Sequence, residues 1–84
     1  MSTMKSAQTV YYGPSTSIYP SVGSVFQNET VTAIWIEGTW VHIEYNVTGT
    51  TNKKRGYVPV STVNITESVP SITNQNLTRY VNTS

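Results

Sequence analysis

Residues 30–45 constrain the fold more than any other stretch of this chain. Thr30 to Ile36 reads Thr-Val-Thr-Ala-Ile-Trp-Ile, almost wholly β-branched or aromatic, and Thr39 to Tyr45 is of the same kind. Such side chains lose rotamer freedom in a helix and pack well on a pleated surface. Glu37-Gly38 stands between the two runs, and glycine accepts the backbone angles of a tight reversal. Two β-rich runs about so short a connection predict a β-hairpin.

The rest of the chain is punctuated in the same way. Thr9 to Tyr12 is a short β-rich run stopped by Gly13-Pro14. Ser15 to Val22 reads as a loop holding Ile18 and Tyr19, and Gly23 to Phe26 opens another strand. Gln27-Asn28-Glu29 is a turn and Val47 to Asn52 a loop. Lys54 to Val58 is the next strand, and Pro59 ends its ladder because it has no N–H to donate. Ser61 to Val63 fits a single 3₁₀ turn.

Closely spaced short strands with Gly and Pro turns predict an all-β fold, a small barrel of about five to seven strands. Val31, Ala33, Ile43 and Val58 are its expected inward positions, joined by Val22 and Val25. Burial of each such side chain stabilises by roughly 1.5–3 kcal/mol before entropy is counted. Residues 1–8 are polar and without period, so they are expected to be an arm or linker remnant. The barrel is expected over residues 9–64. Residues 65–84 read as a polar linker or tail, in which Arg79-Tyr80-Val81 would form one further strand or open a following module.

Composition removes several function classes. The 84 residues contain no cysteine, no aspartate and one histidine, so no disulfide, thiolate metal site or Ser-His-Asp set can be assembled. A carboxylate pair would have to come from Glu29, Glu37, Glu44 and Glu67, and no spacing draws two of them together. The chain is therefore expected to be non-catalytic and to need no cofactor. Net charge is +1, and Lys53-Lys54-Arg55 is the single basic cluster, which is not the footprint of a nucleic-acid binder. No apolar run approaches the ~18 residues of a membrane span, and no apolar core follows the first lysine as in a signal peptide. Asn-x-Ser/Thr triplets at Asn28, Asn46, Asn64, Asn76 and Asn82 follow from the abundance of Asn and Thr.

Aromatic residues are the better functional candidates. Tyr11, Tyr12, Tyr19, Trp35, Trp40, Tyr45 and Tyr57 are many for so small a barrel, and strand alternation must turn some outward. Exposed rings stack on the apolar faces of sugars and on peptides. Tyr12, Tyr19 and Tyr57 are expected to bind ligand, Trp40 to serve core and groove alike, and Tyr45 to cap the core. Arg55, in its basic cluster, is a candidate contact for phosphates or carboxylates, although a solvated loop is the simpler reading. His42 is expected at the surface; facing a groove, it would make binding respond to pH near about 6.5.

The ordered segments Val10-Tyr11-Tyr12-Gly13-Pro14-Ser15, Val22-Gly23-Ser24-Val25, Gly38-Thr39-Trp40-Val41-His42-Ile43 and Lys54-Arg55-Gly56-Tyr57-Val58-Pro59 resemble a bacterial SH3 (SH3b) domain. The likeness runs from Thr9 to Val63 and is closest to wall-targeting modules of Gram-positive peptidoglycan hydrolases and phage endolysins, often N-acetylmuramoyl-L-alanine amidases. It implies an SH3-like barrel that holds a hydrolase on peptidoglycan or an attached polymer at the outer face of the wall, reached by lysis or export of the parent protein. It also implies a catalytic domain preceding this one on the same polypeptide, with this chain an excised domain or a product of internal initiation. Gly56-Tyr57-Val58-Pro59 is similar to the end of a eukaryotic SH3 domain too, so a module binding proline-rich or extended peptides is the alternative. Against it, Gly13 to Val22 holds no acidic residue, and Trp35 and Trp40 are not adjacent. Subunit association through an exposed edge strand is compatible with either reading.

Overall fold

The computed structural model describes residues 1–15, 18–47 and 49–72, and in it the 30–45 pattern forms the central hairpin. The strands are β1 (Ser2–Met4), β2 (Gln8–Tyr11), β3 (Ser21–Val25), β4 (Thr30–Glu37), β5 (Trp40–Asn46), β6 (Lys53–Pro59), β7 (Val63–Asn64) and β8 (Ser71–Ile72). A 3₁₀ turn at Val60–Thr62 joins β6 to β7. Their order is β3-β2-β6-β5-β4-β1-β7, with β8 added beside β4, and the sheet curls into a small, half-open barrel. All pairs are antiparallel except β4 with β8. The expected all-β small barrel is what forms.

The central turn is a two-residue loop. Glu37 pairs with Trp40, and Gly38 takes φ 64°. Positive φ at the first loop position alone is the type II′ arrangement, whose twist suits a hairpin. Asn28, in the turn before β4, also has positive φ, at 69°, a conformation asparagine tolerates better than most residues.

Alternation divides each central strand between two faces. On β5, Val41, Ile43 and Tyr45 are buried in the barrel, while Trp40, His42 and Glu44 lie on the outer face. On β6, Gly56 and Val58 stand opposite Ile43 and Val41, and Tyr57 stands opposite His42. The core comprises Met4, Val10, Val25, Val31, Ala33, Val41, Ile43, Tyr45, Val58 and Val63. Five of the six expected inward residues are in it, and Val22 packs against it half-buried.

Two boundaries differ from expectation. Ser2–Met4 is no arm: β1 lies between β4 and β7, with Ser2 opposite Val31 and Met4 opposite Val63. Met4 is only 1% exposed. Three residues are too few to show an alternating pattern, and the pairing uses main-chain groups that composition does not reveal. Nor does the barrel stop at residue 64. Ile65 and Val69 pack on the core, the Ile36 N–H donates to the Pro70 carbonyl at 2.8 Å, and β8 runs beside the end of β4. The candidate strand Arg79-Tyr80-Val81 lies outside the described residues.

One side-chain contact ties the two ends of the barrel together. The fully buried Ser2 hydroxyl donates to Glu67 Oε1 and accepts from the Thr66 N–H at 3.2 Å. The Ser2 hydrogen bond holds the Glu67 carboxyl below its ordinary value of 4.5, against a smaller opposing effect of burial. A depressed carboxyl contributes stability that is complete above its unfolded pKa and is lost as pH falls through its folded one. Thermal melts between pH 7 and pH 3 should therefore show an acid-side loss, beginning below about pH 4.5, that Glu67→Gln reduces. Glu67 itself is only half-buried, so the difference should not exceed a few degrees. Identical acid limbs for the two proteins would refute the assignment.

Candidate functional site: an aromatic row on the outer sheet face

Four adjacent strands bring aromatic residues into one row. Trp35 on β4 pairs with His42 on β5, His42 with Tyr57 on β6, and Tyr57 with Tyr11 on β2. Directly opposite residues point to the same face of a sheet, so their rings meet. His42 lies parallel to Tyr57, at 12° and 4.5 Å between centroids, and its other neighbour is Trp35 at 4.3 Å. Trp40, one pair along β5, meets Tyr11 edge-on at 6.0 Å and 89°. Offset-stacked and edge-on pairs such as these add roughly 0.5–1.5 kcal/mol each beyond area burial.

A β-bulge puts Trp35 in the row. The β4–β5 register shifts between Ala33 and Trp35, so Ile34 is an extra residue on β4. Ala33 then faces Ile43 in the core while Trp35 faces His42 outside. Strict alternation from Val31 would have sent Trp35 inward with Ala33.

Glu37 anchors the end of the row. It is 3% exposed, and its Oε1 accepts from the Trp35 indole N–H at 3.2 Å. A buried carboxylate is costly unless hydrogen-bonded, and this bond also sets the plane of the Trp35 ring. At the end of β2 the Tyr12 N–H donates to the Pro20 carbonyl at 2.9 Å, which closes the loop between β2 and β3. Within that loop Tyr19 lies flat on Gly13, where a Cβ would stand 2.5 Å from its ring.

The six residues expected to bind ligand are placed differently from one another. Tyr12 is 53% exposed, and Trp40 is half-buried. His42, expected at the surface, is instead held between two rings. Tyr57 and Tyr19, expected to be accessible, are 2% and 7% exposed. Tyr57 is covered because it sits in mid-sheet beneath its neighbours, and Tyr19 because its loop folds over Gly13. Both support the site rather than form its open surface. Arg55 is exposed two residues from Tyr57 along β6, and its Nε donates to Glu44 Oε2 at 3.1 Å.

Tyr11 and Trp35 belong to the row and Glu37 to its end; the two aromatic residues are in the candidate set, but none of the three is among the expected contacts. No local signal marks them: the first needs the β2–β6 adjacency, the second the bulge, the third the first two. Chemically the row offers ring faces, ring edges and an imidazole, which suit stacking against a flat or extended ligand. Among the described residues no group of three His, Cys, Asp or Glu residues stands close enough to hold a metal ion. No described helix is long and apolar enough to cross a membrane. No protein-family model, curated protein or solved structure matches this chain.

Proposed function

We propose that this barrel is a non-catalytic cell-wall-binding module, which holds a bacterial or phage peptidoglycan hydrolase of the amidase type on its substrate. The observation that carries the reading is the row Trp35–His42–Tyr57–Tyr11–Trp40 on one sheet face. Pre-stacked rings lose little side-chain entropy on binding, and they offer apolar faces to sugars or peptide stems. The low charge of the chain supports the same reading, because a wall rich in anionic polymer repels it little. The ordered segments that resemble SH3b domains supply the choice of wall over other extended ligands.

In this reading Trp40 is the main contact, Tyr11 and Tyr57 are its platform, and Tyr12 extends the surface. Trp40→Ala should lower sedimentation with Gram-positive walls by about 10–100-fold, the usual cost of removing an aromatic hot spot. Circular dichroism of the variant should stay that of the parent. Stripping attached polymers from the walls assigns the ligand: binding kept points to peptidoglycan, binding lost to the polymer. Absence of sedimentation of the unaltered protein with every wall tested would overturn the proposal.

A further inference from the structure

The far edge of β3 has no strand beside it among the described residues, and a seam opens there. Its other wall is the end of β5 and the start of β6, and Lys54 spans it by donating to the Val22 carbonyl at 3.2 Å. Phe26, 53% exposed, stands at the end of β3 with a cleft on either side. One cleft, of about 220 Å³, is lined by Phe26, Tyr45, Val47 and Lys54 along with Gly23 and Ser24. The other, of about 230 Å³, adds Ala7, Gln8 and Thr9 on β2's side.

The first cleft has a polar group with nothing to bind. Tyr45 is 3% exposed, and its hydroxyl has no hydrogen-bond partner among the described residues. A buried polar group left unsatisfied is costly, and a ligand acceptor would remove that cost. Burial, with a smaller effect from Glu29, pushes its pKa above the ordinary 10.0, so it stays a hydrogen-bond donor. Gly23 makes room for it: a Cβ there would stand 2.3 Å from the hydroxyl oxygen. No carboxylate lines either cleft, and Lys54 brings a cation to the rim.

We propose that this seam is a second binding site, separate from the aromatic row, for a short extended peptide ending in a free carboxylate. The peptide lies along β3 by strand addition, which uses main-chain groups that a free edge leaves open. Its side chains pack against Phe26 in the first cleft, whose volume of about 220 Å³ is ample for them. Its carboxylate draws Lys54 off the neutral Val22 carbonyl, an exchange favoured because charge-assisted hydrogen bonds are about twice as strong. The Tyr45 hydroxyl donates to the same end of the peptide. The site does not depend on the wall-binding reading, and it involves neither Trp35 nor Trp40.

The test is an amide chemical-shift titration of the full chain with N-acetyl-trialanine as the free acid and as its C-terminal amide. The acid should shift Gly23, Ser24, Phe26 and Val47, leave the Trp35 and Trp40 indole signals in place, and bind about tenfold more tightly than the amide. Lys54→Met should abolish the preference for the acid, and Lys54→Arg should keep it. Tyr45→Phe should weaken the acid's binding without loss of signal dispersion. Comparing L- and D-terminated acids identifies the source: preference for D assigns a wall peptide, preference for L a protein C-terminus. Equal shifts with acid and amide, shifts confined to the indoles, or no shifts at all would each overturn the proposal. Wall sedimentation through Trp40 reports on the other reading alone.

Discussion

Gly56→Ala should lower stability by about 3 kcal/mol or more, although it adds a single methyl group. Gly56 faces the interior of β6 and is buried where β2 crosses close to it. A Cβ at this position would stand 2.4 Å from Val10 Cγ1, 2.8 Å from the Tyr11 carbonyl oxygen and 3.1 Å from Val22 Cγ2. Rotation of Val10 relieves the first contact but not the second, which is backbone. Relief then requires β2 to move away from β6, and Tyr11 opposite Tyr57 is the pairing recorded between those strands. The displacement also carries Tyr11 from Trp40, so the wall binding proposed for this row should fall along with stability.

Urea unfolding measures the effect, and Gly49→Ala is the control. Gly49 has φ 79° and nothing within 4 Å of its would-be Cβ, so substitution there costs only backbone strain, about 1 kcal/mol. A variant at Gly56 as stable as the parent would mean that β2 and β6 are not in contact as described.

Met4→Ala is expected to cost about 2–5 kcal/mol, the range for emptying a packed core site. The side chain is 1% exposed and belongs to the main core cluster. Its backbone is fixed as well: Met4 N–H donates to the Glu29 carbonyl at 2.9 Å, and Asn28 N–H donates to the Met4 carbonyl at 2.8 Å. Small domains are stable by only about 5–15 kcal/mol, so this one side chain accounts for a large share. Met1, 79% exposed, provides the contrast, and Met1→Ala should change stability by less than about 0.5 kcal/mol. Thermal melts of the two variants decide the matter. Equal melting temperatures for both would return residues 1–8 to the status of an arm.

The central hairpin was legible because its cause is local. Branched and aromatic residues flank a glycine that takes φ 64°, and no distant partner is needed to recognise that. Pro59 at the end of β6 and the 3₁₀ turn after it were equally local, although the turn begins at Val60 rather than Ser61. The candidate site was legible only in part. Counting aromatic residues shows that some must face outward, but which ones is a question of register. Trp40 and His42, both expected as candidates, share β5 and its outer face. Tyr57 shares the row with them but is buried by its neighbours, because mid-sheet residues are covered from both sides.

The sequence by itself determined the class of fold, the strands of the hairpin and the aliphatic core, since propensity, turn chemistry and alternation act over a few residues. Tertiary structure alone decided that β1 and the segment from Ile65 to Ile72 complete the barrel. It alone placed β2 against β6, bulged β4 at Ile34 and so assembled the row from Tyr11 to Trp35. Those outcomes depend on main-chain groups paired between residues as much as 61 positions apart, as Thr3 is from Asn64, and single-strand patterns carry no record of such partners.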